Sequence, residues 1–597
     1  MSAASSRGSS GRAALGSARR LNYATSPLLA SKTPPWRSRF VVVMMALGCA
    51  VLLGRAAWVQ LIDAPFYVAK GESRYAYKMP LIANRGRILD RNGNVLATSV
   101  PVPSVWIAPK EFRESGATAA QRTALARLLN MPLAELDERS QSRGEFVWLR
   151  RKIDEPVWQQ IRQLKLKGVY QQREFLRKYY EGETIAQVVG RTNFIEDNGT
   201  EGIELRFDRQ LQGQNGEHRV VRNRLGQVVD EMAERREPVN GTDVQLSLDS
   251  RIQFFTWHAV REAVDVHGAL SGSAVVVDAR TGELLALANV AGAAALRSKD
   301  AMAERQRNRA LTDTFEPGST MKPFVVSWAM ESRKLTPLTS LPNEPLPVAG
   351  GLFVRDSHPL AKPRITLAEV IQRSSNAGTA RLAMQMERKE MHGLMTNLGF
   401  GQRPQIDFPG AAAGRLRKPE SWMPIDQATM SYGYGLSTSL LQLARAYTVF
   451  AHDGQLSELS LLKRDAPMPS VPVISPETAR QMRQMLGLVV QEGGTAPKAA
   501  VEGYSVGGKT GTAQAHVKGG YDKSRHRAFF VGLAPLSDPR IVVAVMLDEP
   551  RAQGVYYGGA VAAPVFSKVT QQTLRTLGVE QDLEVRARVR VQTETTP

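Results

Sequence analysis

A serine three residues ahead of a lysine, Ser319 and Lys322 within Phe315-Glu316-Pro317-Gly318-Ser319-Thr320-Met321-Lys322-Pro323, is the arrangement in this 597-residue chain with the most evident capacity for chemistry. Pro317 and Gly318 suit a sharp turn into a helix, which puts Ser319 in the first turn and Lys322 on the same face. A serine hydroxyl is a poor nucleophile until a neighbour takes its proton, and a lysine that has lost its charge through burial is such a neighbour. The pair is a candidate acyl-transfer centre. Spacing alone is weak evidence, because the chain holds a second Ser-x-x-Lys at Ser460-Leu461-Leu462-Lys463.

Order separates the two copies. After Ser319 come Ser374-Ser375-Asn376 and then Lys509-Thr510-Gly511-Thr512, whereas no Ser-x-Asn lies between Ser460 and Lys509. The three boxes in this order resemble those of penicillin-binding proteins and class A β-lactamases. A rival reading uses the same residues: Gly503-Tyr504-Ser505-Val506-Gly507-Gly508-Lys509-Thr510 satisfies the phosphate-binding pattern Gly-x4-Gly-Lys-Thr. Such a loop follows a buried strand and opens a helix, yet Pro497–Glu502 is a poor buried strand and Gly511-Thr512-Ala513-Gln514 a poor helix. The nucleotide reading is therefore disfavoured.

The elements that must bring these boxes together can be read in outline. Ser273–Asp278 with Glu283–Ala288, and Ala528–Ala534 with Ile541–Leu547, form two pairs of buried strands joined by tight loops. Helical patterns lie between them, around Ser319, over 366–385 and over 439–450, and a last amphipathic helix follows Pro564. This predicts an α+β fold, an antiparallel sheet with helices packed on it. Upstream, Asn84-Arg85-Gly86-Arg87-Ile88-Leu89-Asp90-Arg91-Asn92-Gly93-Asn94-Val95-Leu96-Ala97 reads as a hairpin around an Asn-Gly turn. No nucleophile and base stand out there, so a spacer or docking module is the expectation for this mixed α/β region.

Composition narrows the class. The formal net charge of +20 raises nucleic acid as a partner, but zinc-finger spacing and RNA-binding aromatic signatures are missing, and a basic exterior facing anionic lipid and cell wall fits better. One cysteine forbids an intrachain disulfide, and eight histidines without a His-Glu-x-x-His argue against a metal site. No cofactor is expected. Residues 1–39 are basic, Ser- and Ala-rich, and read as a disordered cytoplasmic tail. Residues 40–62 form an apolar run long enough to span a bilayer, and its basic N-terminal flank predicts that the rest lies outside the cytoplasm. An uncleaved anchor is preferred over a secretory signal or a lipoprotein box at Cys49, since apolar sequence continues beyond the small residues. The expected division is tail 1–39, transmembrane helix 40–62, pedestal 63–240, catalytic domain 241–579 and a charged disordered tail 580–597.

The boxes, the anchor and the Arg-Gly-Arg-Ile-Leu-Asp-Arg-Asn-Gly hairpin together resemble the class B penicillin-binding proteins, most closely the division-specific penicillin-binding protein 3 type; Asn376, where the elongation type has Asp, favours that branch. The resemblance implies a penicillin-binding and serine β-lactamase-like fold on a dimerisation-like pedestal, with a D,D-transpeptidase activity that cross-links peptidoglycan stem peptides at the septum and is acylated by β-lactams. It also implies roles. Ser319 attacks the carbonyl between two D-alanines, neutral Lys322 takes its proton, and Ser374 relays a proton to the leaving amine. Asn376 holds substrate and Lys322, while Lys509 and Thr510 receive the terminal carboxylate and Gly511 allows close approach on an edge strand. The amides of Ser319 and Thr512 form an oxyanion hole. Implied partners are the membrane and division proteins, a septal glycosyltransferase among them, with location at the inner membrane and the catalytic part in the periplasm. Alternatives are an elongation-type transpeptidase, a serine β-lactamase-related hydrolase, for which no Glu-x-x-Leu-Asn follows Asn376, and a non-catalytic division scaffold. Tyr432-Gly433-Tyr434, Tyr556-Tyr557-Gly558-Gly559 and His358 are secondary candidates, each with a plain structural reading as turn or loop. Ala291–Arg297 departs from the family's usual loop.

Overall fold

Pro35 opens the first helix, α1 (Pro35–Leu61), because a proline in the first helical turn gives up only an N–H that has no partner there. The computed structural model describes residues 34–67, 70, 76–222, 228–517 and 520–584. Most of the basic N-terminal tail and residues 585–597 of the C-terminal one lie outside the described residues. α1 begins five residues before the apolar run, so Arg37 and Arg39 sit in its first turns. Its 27 residues have a mean hydropathy of 2.2 over the most apolar window. At about 1.5 Å per residue the helix exceeds the ~30 Å apolar thickness of a bilayer. Arg55 reaches Asp63, 3.7 Å away.

The described chain falls into two units. One, Met1–Met79 with His218–Arg235, contains α1 and most of a three-stranded sheet in which Gly216–Arg222 lies between Ala76–Leu81 and Val228–Arg236. The other, Pro80–Glu217 with Arg236–Pro597, holds the hairpin region and all three boxes.

Within this second unit the expected hairpin is β1 (Ile88–Leu89) and β2 (Val95–Ile107). Asp90 makes the turn by accepting from the backbone N–H of Asn92 at 2.8 Å and of Asn94 at 2.9 Å, and Gly93 takes a φ of +86°. β2 is long enough to pair antiparallel with β3 (Val147–Arg150) and β4 (Val169–Tyr179), and β1 pairs parallel with β5 (Val244–Gln245). A separate small core, including Val105, Ile107, Phe112, Leu125 and Ile161, fills the space under this sheet.

The hairpin box proves to be a clamp. Glu204 is wholly buried and accepts from Arg177 Nε at 2.7 Å and Arg85 Nε at 2.8 Å, while Arg177 Nη1 donates to the Gly86 carbonyl at 2.8 Å. At Gly86 a Cβ would stand 2.2 Å from the Thr242 carbonyl oxygen, so only glycine lets the two backbones cross. Asp90 also accepts from Ser250 Oγ at 2.7 Å, which ties the turn to the first residue of α2 (Ser250–Val266).

The catalytic region is built on β6 (Ser271–Asp278), β7 (Leu284–Ala291), α3 (Lys322–Arg333), α4 (Leu367–Arg373), α5 (Asn376–Ala383), α6 (Leu440–Ala451), β8 (Gly507–Val517), β9 (Gly520–Ala534), β10 (Ile541–Asp548) and α7 (Ala563–Thr576). The five strands run in the order β7-β6-β10-β9-β8 and every pairing is antiparallel, as the α+β expectation requires. Helices cover the sheet, with α2 packed on α7 and both on the strands, and α6 on β6 and β10. The inner strands are buried on both faces, which is why Val275–Val277 and Ile541–Leu547 read as unbroken apolar runs rather than alternating ones.

One expectation is corrected, and two readings already disfavoured from the sequence fall away. Residues 366–385 are not one helix: α4 ends at Arg373, Ser374 takes a left-handed φ of +62°, and α5 starts afresh with Ser375 as its cap. Lys509 and Thr510 lie inside β8 and no helix follows them, so no ring of helix N-terminal amides exists there to cradle phosphate. Ser460 lies outside any helix, with its hydroxyl donating to the Leu462 carbonyl at 2.8 Å, so the second Ser-x-x-Lys carries no chemistry. The clamp yields a prediction. Replacing Glu204 by Ala leaves the buried Arg177 guanidinium without its carboxylate and Arg85 with Asp208 alone, and urea unfolding of the purified protein should show a loss of about 3–5 kcal/mol.

Candidate active site

Gly318, with φ +55°, lets the chain turn into a 3-10 segment, Gly318–Met321, that delivers Ser319 to the start of α3. The segment is gripped from several sides. Tyr447 of α6, fully buried, donates to the Thr320 carbonyl at 2.8 Å. Phe315 stacks on Phe529 of β9 at 4.5 Å. A Cβ on Gly433 would come within 2.1 Å of the Gly318 carbonyl oxygen, and one on Gly511 within 3.0 Å of the Pro317 carbonyl oxygen. Glycine in the third box is what allows edge strand β8 to lie directly against the serine turn.

Lys322 is fully buried and its Nζ lies 2.7 Å from Ser319 Oγ, 2.7 Å from Asn376 Oδ1, 2.9 Å from the Ser374 carbonyl and 3.0 Å from Ser374 Oγ. Burial, together with the charge of Lys509, pushes its pKa well below the ordinary lysine value, against a smaller opposing pull from Asp356. The partner set suits the neutral amine. A neutral amine gives its two N–H bonds to the two obligate acceptors, the Ser374 carbonyl and Asn376 Oδ1, which leaves a lone pair that the Ser319 hydroxyl, 2.7 Å away, can meet as donor. Asn376 is held in that orientation by its Nδ2, which donates to the Arg355 carbonyl at 3.2 Å.

The break at Ser374 explains itself here. A continuing helix would spend the Ser374 carbonyl on its own ladder; the left-handed residue turns both its carbonyl and its hydroxyl to Lys322. Such a conformation costs on the order of 1–3 kcal/mol in a non-glycine residue. The capping box between Thr366 and Glu369 at the start of α4, and Asp356, which accepts from Ser375 Oγ at 2.6 Å and the Ala377 amide at 2.8 Å, hold the segment on either side of the break.

Lys509 is also fully buried, and burial lowers its pKa to about 7. Its Nζ lies 3.4 Å from the carbonyl and from the hydroxyl of Thr510, whose Oγ1 is 2.9 Å from that of Thr495. Thr512 Oγ1 accepts from the Gly558 amide at 3.2 Å. All eight residues singled out in the three boxes thus come to one place. The cleft they border has a volume of about 520 Å³, and Ser319, Ser374, Asn376, Thr510 and Thr512 line it.

Of the secondary candidates, Tyr434, Tyr556, Tyr557, Gly558, Gly559 and His358 line the cleft. Tyr432 stands behind Lys322, with Nζ 5.9 Å from its ring centre, and burial raises its phenol to about 12, so it is neutral. Sequence reading missed Asp356, Thr495 and His526, the last stacked on Tyr556 at 3.9 Å; none belongs to a box, and only the fold brings them to the cleft. The stretch after β7 that departs from the usual pattern folds as a short helix, Ala293–Leu296.

Comparison with known proteins agrees with this geometry. The penicillin-binding protein transpeptidase domain matches residues 272–571 and the penicillin-binding protein dimerisation domain matches 80–246. A relative from Neisseria gonorrhoeae described as a probable peptidoglycan D,D-transpeptidase PenA is 41% identical over 91% of this chain and 93% of its own. The peptidoglycan D,D-transpeptidase FtsI of Escherichia coli is 36% identical over 92% of this chain and 93% of its own. Among solved structures, the transpeptidase domain of penicillin-binding protein 3 from Burkholderia pseudomallei is 47% identical, covering 57% of this chain and 98% of that one, with a TM-score of 0.52. The chain belongs to the penicillin-binding protein transpeptidase family, as a peptidoglycan D,D-transpeptidase of class B.

Proposed function

We propose that the protein cross-links septal peptidoglycan through an ester on Ser319. The observation that carries this reading is the buried Lys322 amine 2.7 Å from the Ser319 hydroxyl, with its N–H bonds directed at Ser374 and Asn376. Ser319 Oγ attacks the carbonyl carbon between the two terminal D-alanines of a donor stem peptide while its proton passes to Lys322 Nζ. The amides of Ser319 and Thr512 receive the negative oxygen, a contact whose individual donors are worth about 10²–10³ in rate. Ser374 Oγ, 3.0 Å from Nζ, passes the proton to the departing D-alanine nitrogen, so the C–N bond breaks as a neutral amine leaves. The amine of a second stem peptide then attacks the ester, and Ser319 recovers its proton. Thr510, Gly511 and Lys509 on β8 hold the donor's terminal carboxylate, with the extended donor alongside the edge strand.

The septal assignment rests on Asn376 in the middle box and on the resemblance to the division-specific type; the helix α1 supports a single-pass anchor, and its basic N-terminal flank favours a catalytic unit in the periplasm. Division proteins, a septal glycosyltransferase among them, are the implied partners at the pedestal. A fluorescent fusion that decorates the side wall evenly rather than the division site would count against the septal role.

Chemistry is tested with a labelled β-lactam. Wild type should retain a stable label that Ser319→Ala abolishes; rapid turnover of the label points to a hydrolase, and no label to a scaffold. The lysines also set a pH profile. Lys322 must be neutral to accept a proton, so the rate falls on the acid side once that amine is protonated. Lys509, near 7, loses its charge as pH rises, and carboxylate binding weakens. The second-order acylation rate by a carboxylate-bearing β-lactam should therefore decline on both sides, with the alkaline decline setting in above about 7. A rate flat between about pH 6 and about pH 9 contradicts these roles.

A further inference from the structure

Arg373, the last residue of α4, lines the same cleft and plays no part in the chemistry described above. Its side chain crosses to another segment, where Nη1 donates to the Gly493 carbonyl at 2.6 Å. Among the described residues it forms no ion pair, whereas other cations of this unit are matched, such as Arg417 with Asp426 and Arg527 with Asp548. The carboxylate that shares the cleft wall, Asp356, is occupied on both oxygens by Ser375 and Ala377. A guanidinium has five donors in a planar fork, and a single neutral acceptor leaves most of that fork free. That shape and permanent charge match a carboxylate.

Position points the same way. Gly493 lies two residues before Thr495, whose hydroxyl is 2.9 Å from that of Thr510. The segment that anchors Arg373 is thus the one that abuts the third box. A basic residue in the last turn of a helix also complements the helix dipole, for about 0.3–1 kcal/mol. That role explains a positive charge at this position; it does not explain an anchor on a different segment at the mouth of a cleft.

We propose that Arg373 is a specificity-determining residue that binds a carboxylate of the donor stem peptide at the Thr495–Thr510 end of the cleft. The proposal rests on the transpeptidase reading of that cleft. The carboxylate has two sources, the donor's terminal residue or a free side-chain acid elsewhere in the stem peptide.

The test uses the full-length protein in detergent and synthetic acyl-D-alanyl thioester donors in matched forms, with the terminal group as acid or amide and the side-chain acid free or amidated. Wild type should prefer the acid. Arg373→Gln should lose about tenfold to a hundredfold in kcat/KM, through KM, on the recognised acid and little on the matching amide, with partial rescue in Arg373→Lys. The pair of donors whose discrimination collapses identifies the source. Equal losses on every acid and amide, or none, overturn the proposal. A wild-type protein that no donor acylates overturns the transpeptidase reading itself and this proposal with it.

Discussion

An amine shut away from water cannot keep its proton cheaply, and the whole catalytic region is arranged around that one constraint at Lys322. Desolvation works against the charge, and the neutral form it favours has two N–H bonds to place and one lone pair to aim. The Ser374 carbonyl and Asn376 Oδ1 take the first two, so the lone pair is left for Ser319. Losing either acceptor would free the amine to rotate, and its alignment with the Ser319 hydroxyl would go with it.

Much of the surrounding structure can be understood as support for these few bonds. The left-handed Ser374 is locally unfavourable and persists because a capped helix on one side and the Asp356-bound start of α5 on the other leave the chain no easier path. Glycines 318, 433 and 511 stand where three backbones meet, and an added Cβ at Gly511 would press the serine turn away from β8 while one at Gly433 would press it away from the turn that holds Gly433. The five-stranded sheet matters to the chemistry mainly through its edge. β8 is paired on one side only, which leaves it free to border the cleft.

The hairpin region extends this logic beyond the cleft. Its Arg-Gly-Arg box forms a buried ion cluster with Glu204, and its Asp90 turn is hydrogen-bonded to the start of α2, so the pedestal strands and the catalytic region share one continuous unit. The Arg85 and Arg177 guanidinium groups, gathered on Glu204 with Asp208 as a second carboxylate for Arg85, are costly to desolvate, and the cluster holds only while every partner stays in place. Near the other end of that unit, Asp582 accepts from the Ser505 amide at 2.7 Å and from Ser537 Oγ at 2.6 Å, so the chain just after α7 is tied to the segments flanking the sheet.

Local chemistry determined a good deal by itself. Apolar runs such as Val275–Val277 and Ile541–Leu547 announce buried strands, Asn92-Gly93 announces a turn, and the order of Ser319, Ser374-Ser375-Asn376 and Lys509-Thr510-Gly511 announces the site, because each depends on the residue types present in a short window. What the window does not contain, only tertiary structure decided. A break within 366–385 follows from the demands of a lysine more than forty residues upstream, and no propensity at Ser374 signals it. Lys509 belongs to a strand rather than a phosphate loop because β9 pairs with it along its length. Asp356, Thr495, His526 and the anchor of Arg373 on Gly493 come to the cleft through contacts between distant segments, and the depressed affinities of Lys322 and Lys509 for protons exist only once both are removed from water. Burial is a property of the folded whole, and the lowered proton affinity of both lysines follows from burial.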